Sequence, residues 1–196
     1  MKVILASRNE GKIKELTKIL SPLDFHLVGQ KDFDIESPEE TGLTFIENAL
    51  IKAREVSKQS GLPSIADDSG ISVPMLDGAP GIYSARYAGD PSDDERNNRK
   101  LVSSLLNLPD KSAFYYCVLV FVKHALDPTP IIGIGEWHGS IIAEKRGSNG
   151  FGYDPHFWLE DYQCTAAELS PETKNTISHR ATASKELIYA LKSNRI

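Results

Sequence analysis

The chain has 196 residues, 40% of them hydrophobic and 25% charged, and a formal net charge of −5. That length is enough for one domain with a full core, and the composition excludes disordered and fibrous classes. The acidic balance argues against a nucleic-acid partner, which needs a basic face, and no apolar run approaches membrane-spanning length.

"KVILA" (2–6) reads as a short buried strand, and "GKIKELTKIL" (11–20) places Ile13, Leu16, Ile19 and Leu20 on one helical face. "FHLVG" (25–29) is the next strand, so the chain opens as βαβ. A polar loop (30–43) leads to Thr44 and Glu47, which match a capping box, and Phe45, Ala49, Leu50, Ala53 and Val56 carry a helix to about Gly61. "IADDSGISV" (65–73) reads as a buried strand with Asp67 and Asp68 at its end. A loop rich in glycine and proline follows, then a helix at 94–107 that buries Leu101, Val102, Leu105 and Leu106. Residues 113–122 and 130–144 form two long neighbouring strands, and a last helix over 171–193 buries Ile177, Leu187, Ile188 and Leu191. This mixture predicts an α/β, three-layer architecture with a long mixed sheet flanked by helices, in a single domain spanning 1–196. "MKVILASRNEGK" turns polar too soon for a signal peptide, and Cys117 and Cys164 have no metal or redox spacing. A soluble, cytoplasmic protein with a reduced core thiol at Cys117 is therefore expected.

"SRNEGK" (7–12) bridges the first strand to the first helix, where backbone N–H groups and the helix dipole favour an anion. Lys12 and Lys14 oppose that dipole by about 0.3–1 kcal/mol each, so a bound anion would explain them; a generic loop with solvated lysines is the plainer alternative. The stretch is neither a Walker loop nor a dinucleotide turn. Asp68, with "EE" at 39–40, offers hard oxygen donors suited to Mg²⁺ or Mn²⁺. Adjacent residues on a strand face opposite ways, so Asp67 is expected to orient or cap rather than share an ion with Asp68. "GSNGFGYDPHF" (147–157) offers either aromatic faces for base stacking or a turn with two core aromatics. Lys174, His179 and Arg180 gather around the last helix, and no histidine pair has zinc spacing.

Taken in order, "SRNEGK", "EETGLTFIENALIKA", "IADDSG", "GAPGIYSARYAG", "GFGYDP" and "SHR" resemble the inosine/xanthosine triphosphate pyrophosphatase family, most closely its bacterial branch. The resemblance covers nearly the whole chain. It implies two lobes around a central cleft, a homodimer, and Mg²⁺-dependent cleavage of a deaminated purine nucleoside triphosphate (ITP, dITP or XTP) to the monophosphate and pyrophosphate. Carried over by position, Ser7, Arg8, Asn9, Glu10, Gly11 and Lys12 bind the phosphates, with Lys52 and Lys174 adding positive charge. Glu40 and Asp68 serve the metal, Asp68 is also the general base, and Ser69 touches substrate. Phe151, Gly152, Tyr153 and Asp154 hold the base, while His179 and Arg180 read its edge; Arg86 is a further candidate near the phosphates. A pyrophosphatase for another modified base, or a non-catalytic nucleotide-binding module, are the competing readings.

Overall fold

The computed structural model describes residues 1–193. Its strands are β1 (Lys2–Ala6), β2 (His26–Gly29), β3 (Ser64–Ser72), β4 (Ser112–Val122), β5 (Ile131–Ile141), β6 (Phe157–Leu159) and β7 (Cys164–Thr165). They form one sheet in the order β2-β1-β3-β4-β5-β6-β7. β1 pairs in parallel with β2 and β3, whereas β5–β6 and β6–β7 are antiparallel, so the sheet is mixed as expected. The helices are α1 (Glu10–Ile19), α2 (Phe45–Ser60), α3 (Asp94–Leu105), α4 (Pro171–Ile177) and α5 (His179–Ser193).

The chain divides into two compact units. The first comprises Met1–Asp68, Cys117–Gly135 and the chain from His179 onward, and its core joins Val3, Leu5, Leu16, Leu20, Ile65, Leu119, Phe121 and Leu187. The second comprises Ser69–Tyr116 and Glu136–Ser178; its core joins Ile71, Leu101, Leu105, Tyr115, Trp137, Tyr153 and Phe157.

Local signals place most elements. The Thr44–Glu47 capping box forms in both directions, and Gly61 closes α2 in the left-handed conformation. Three expectations change. Leu106 lies beyond the last turn of α3 and is exposed rather than buried. The long C-terminal helix is two helices: Ser178 adopts the extended backbone of a cap between α4 and α5, although the apolar spacing continues through it. Asp67 and Asp68 sit in the middle of β3, not at its end, because the strand runs on to Ser72. The expectation of a strand end has a physical counterpart, since the parallel pairing of β1 with β3 ends at Ala6 and Ala66. Both carboxylates therefore emerge just past the carboxyl end of that parallel pair, where open α/β sheets place their ligands.

Candidate active site

In the first unit, two charge clusters grow from the adjacent aspartates of β3. Asp67 is fully enclosed and accepts from the Lys12 ammonium, from Arg180 Nε at 3.2 Å and from the Cys117 thiol at 3.2 Å. Arg180 also donates through Nη1 to Glu15 at 2.9 Å. Burial alone would raise the Asp67 pKa, but the Lys12 and Arg180 charges overcome it and hold this carboxyl well below the usual range. The same surroundings push the Cys117 thiol well up, through burial first and the Asp67 charge second, so it stays a neutral donor. Lys12 and Arg180 each lie in a first helical turn, against the dipole, and Asp67 supplies the negative charge that offsets both.

Asp68 turns to a different cation. Lys52, buried on α2, donates to Asp68 Oδ1 at 2.6 Å and to Glu40 Oε1 at 2.9 Å. Burial pulls the Lys52 pKa down, but the charges of Asp68 and then Glu40 more than reverse this and keep the ammonium charged. For Asp68, burial dominates: its pKa is raised above the ordinary value, with Lys52 opposing in part. Asp68 Oδ2 is buried without a hydrogen-bond partner among the described residues. Hard oxygen donors and an orphaned carboxylate oxygen fit a small divalent cation. No cluster of three His, Cys, Asp or Glu able to hold a metal occurs among the described residues.

The 7–12 stretch is ordered by its own side chains. Ser7 Oγ accepts from the Asn9 amide at 3.2 Å, and Asn9 caps α1 by accepting from the Lys12 amide at 3.1 Å. Arg8 pairs with Glu36 at 3.5 Å and Glu10 with Lys31 at 3.4 Å, both on the surface, while Gly11 is half-buried in the first turn. His179 and Arg180 are both buried at the start of α5. Their position is set by Gly135 of β5, where an added Cβ would lie 2.2 Å from the His179 carbonyl oxygen and 2.5 Å from the Ala183 nitrogen. Only glycine lets α5 sit this close to the sheet.

In the second unit, Asp154 organises the glycine-aromatic segment. Its Oδ2 accepts from Lys174 Nζ at 2.5 Å and from the Phe151 amide at 2.9 Å, and its Oδ1 accepts from the Tyr115 hydroxyl at 3.2 Å. The Lys174 ammonium also stands 5.1 Å from the centroid of the half-buried Phe151 ring. Gly152 is held through its amide by Asp94 and through its carbonyl by Asn98, both at 2.8 Å. Phe151 and Gly152 line a hollow with Asn98, Arg99 and Lys145. Tyr153 turns the other way: its ring is in the core and its hydroxyl donates to the Ser84 carbonyl at 2.7 Å. Ser69 is half-buried in this unit, and the half-buried Arg86 guanidinium lies 5.3 Å from the Tyr83 ring centroid.

The structure thus joins Lys12 with Arg180, Lys52 with Glu40 and Asp68, and Lys174 with Phe151 and Asp154. Glu15 and Tyr115 escaped the sequence reading, as did Asp94 and Asn98 beside Gly152. Glu15 lies one helical turn after Lys12, on the same side of α1, and that spacing was the available signal. Tyr115, inside an apolar strand, gave none.

The model of the Ham1 family matches residues 3–190 of this chain. A dITP/XTP pyrophosphatase of Nitrosomonas europaea is 51% identical over 193 residues, covering 98% of this chain and 95% of that protein. One from Shigella flexneri is also 51% identical, over 98% of each. The solved structure of a Ham1 protein from Coxiella burnetii superposes with a TM-score of 0.92 at 44% identity, covering 98% of this chain and 99% of the other. By sequence and by fold, the chain belongs to the Ham1 family.

Proposed function

We propose that this chain is a nucleoside triphosphate pyrophosphohydrolase that converts deaminated purine nucleoside and deoxynucleoside triphosphates, ITP, dITP and XTP, to the monophosphate and pyrophosphate, cleansing the nucleotide pool. The observation that carries the reading is Asp68: a buried carboxylate with one oxygen on Lys52 and the other without a hydrogen-bond partner among the described residues, in a chain about half identical over its length to proteins named dITP/XTP pyrophosphatase.

Glu40 and Asp68 would hold Mg²⁺, which when bound supplies charge neutralisation for the phosphates and acidifies a coordinated water. The chain's own groups do the rest. Lys12 and the 7–11 stretch hold the phosphate tail. Asp68 accepts a proton from the attacking water. The water oxygen bonds to the α-phosphorus as the bond to the α–β bridging oxygen breaks, and that oxygen leaves with pyrophosphate. Lys52 orients Asp68 and keeps Glu40 beside it. His179 and Arg180, both buried at the start of α5, are the donors assigned to a carbonyl at purine position six. Adenine presents an amino donor there, so a site of donors rejects it.

The same reading includes a homodimer acting in the cytoplasm; among the described residues no helix is long and apolar enough to cross a membrane. The test is pyrophosphate release from ITP, dITP, XTP, GTP and ATP, with and without Mg²⁺. Metal-dependent turnover favouring the first three is expected, and a preference for ATP would overturn the assignment.

A further inference from the structure

We propose that Asn48 is a positioning residue for this reaction: its side-chain carbonyl holds the Gly42 amide and so fixes Glu40 against Lys52. The inference rests on the pyrophosphohydrolase reading and assigns a device that the reading does not require. Asn48 lies in α2 one turn before Lys52 and is 1% exposed. Its Oδ1 accepts from the Gly42 amide at 2.8 Å. The next two amides, Leu43 and Thr44, both donate to Glu47 Oε2 at 2.9 Å. Three successive amides therefore fasten residues 42–44 to the start of α2, and Glu40, two residues upstream, reaches Lys52.

The capping box accounts for Thr44 and Glu47 and is complete without Asn48. Packing does not account for Asn48 either. Its Nδ2 is buried with no partner among the described residues, a destabilising arrangement that an apolar residue would avoid. What the amide does supply is an acceptor for Gly42. The fit leaves no room for a side chain there: a Cβ on Gly42 would lie 2.5 Å from Glu47 Cβ and 2.7 Å from Asn48 Oδ1. Gly42 and Asn48 are the two halves of one clasp, and the clasp sets how far Glu40 can stray from Asp68's cation. Groups that hold a ligating carboxylate in place change metal affinity by about 10–100-fold when lost.

The test is Mn²⁺ binding to the full chain, followed by electron paramagnetic resonance without nucleotide, alongside pyrophosphate release as a function of metal concentration. Asn48→Ala is expected to weaken Mn²⁺ binding by about 10-fold or more while turnover at saturating metal stays within about threefold of wild type. Gly42→Ala, whose methyl would also press on Glu47 Cβ, should weaken binding at least as much, and adding Asn48→Ala to it should cost no more, because the contact is already open. A folded Asn48→Ala protein that binds Mn²⁺ like wild type refutes the clasp, as do lesions whose effects multiply. If Asn48→Ala does not fold, Gly42→Ala decides alone, and unchanged affinity there refutes it equally. A wild-type chain that releases no pyrophosphate defeats the pyrophosphohydrolase reading instead, and the Mn²⁺ comparison then judges the hold on Glu40 by itself.

Discussion

Asp67 and Asp68 share a peptide bond in β3, yet their carboxylates bond to different lysines: Asp67 to Lys12, and Asp68 to Lys52 at 2.6 Å. Strand geometry sends neighbouring side chains to opposite sides, and the fold sets a separate cation on each. The two aspartates should therefore fail differently when neutralised. Asp68→Asn keeps a side chain of the same shape against Lys52 and removes the proton acceptor together with its negative charge toward Lys52 and the metal. Its expected phenotype is a native circular dichroism spectrum with turnover down by about 10²–10⁴-fold, the usual worth of a general base. Turnover near wild type would take Asp68 out of the mechanism.

Asp67→Asn should act mainly on stability. It strips the counter-charge from Lys12 and from the buried Arg180, and removing one partner of a buried pair costs about 3–5 kcal/mol. The loss has a pH signature. The folded pKa of Asp67 is depressed, so its contribution is full above its unfolded value of about 4 and fades as pH falls below that. Urea titrations of both proteins should show the widest gap near neutrality and a narrowing gap in acid. A gap independent of pH would mean that the lost stability is packing, not charge.

How much of this was legible in the sequence depended on range. The capping box at Thr44 and Glu47, the helical face of Leu16 and Leu20 and the divergence of the two aspartates follow from local spacing, and the structure shows them. The partners of Arg180 lie 113 and 165 residues away, so no local pattern could say that its guanidinium is shared between Asp67 and Glu15. Tyr153 had two local readings, base platform or core aromatic, and only the packing around Phe157 and Leu101 places its ring in the core. The break at Ser178 was hidden because a serine cap inside a continuing apolar period looks like one long helix. β6 and β7, at three and two residues, are too short to carry a period at all.

The seat of α5 on the sheet gives a third expectation. A methyl group at Gly135 would collide with the His179 carbonyl and the Ala183 nitrogen, both backbone atoms that no rotamer change can move. Gly135→Ala should displace the start of α5 and lower stability by about 1–3 kcal/mol, the cost of overpacking. Because His179 and Arg180 travel with that turn, kcat/KM for ITP should fall further than stability alone explains at a temperature where the variant remains folded. Wild-type kcat/KM in a destabilised variant would separate the helix seat from substrate handling.

The last expectation concerns Tyr153 and its alkaline behaviour. Its hydroxyl donates to the Ser84 carbonyl at 2.7 Å, and burial, followed by nearby Tyr87 and Asp94, pushes its pKa above the ordinary tyrosine value. Tyr153→Phe removes the hydrogen bond and leaves an acceptor unsatisfied, so near neutrality it should be less stable by about 1 kcal/mol. The folded pKa is raised, so the stability linked to the neutral phenol is whole below the unfolded value of about 10 and is lost as pH climbs beyond it. There the unfolded wild-type chain can ionise Tyr153 while the folded chain resists, a drain that phenylalanine does not have. Denaturant midpoints taken from neutrality to above about pH 10 should therefore converge, with wild type falling faster than Tyr153→Phe. Parallel curves across that range would show that the Tyr153 hydroxyl is solvated in the folded protein and not anchored on Ser84.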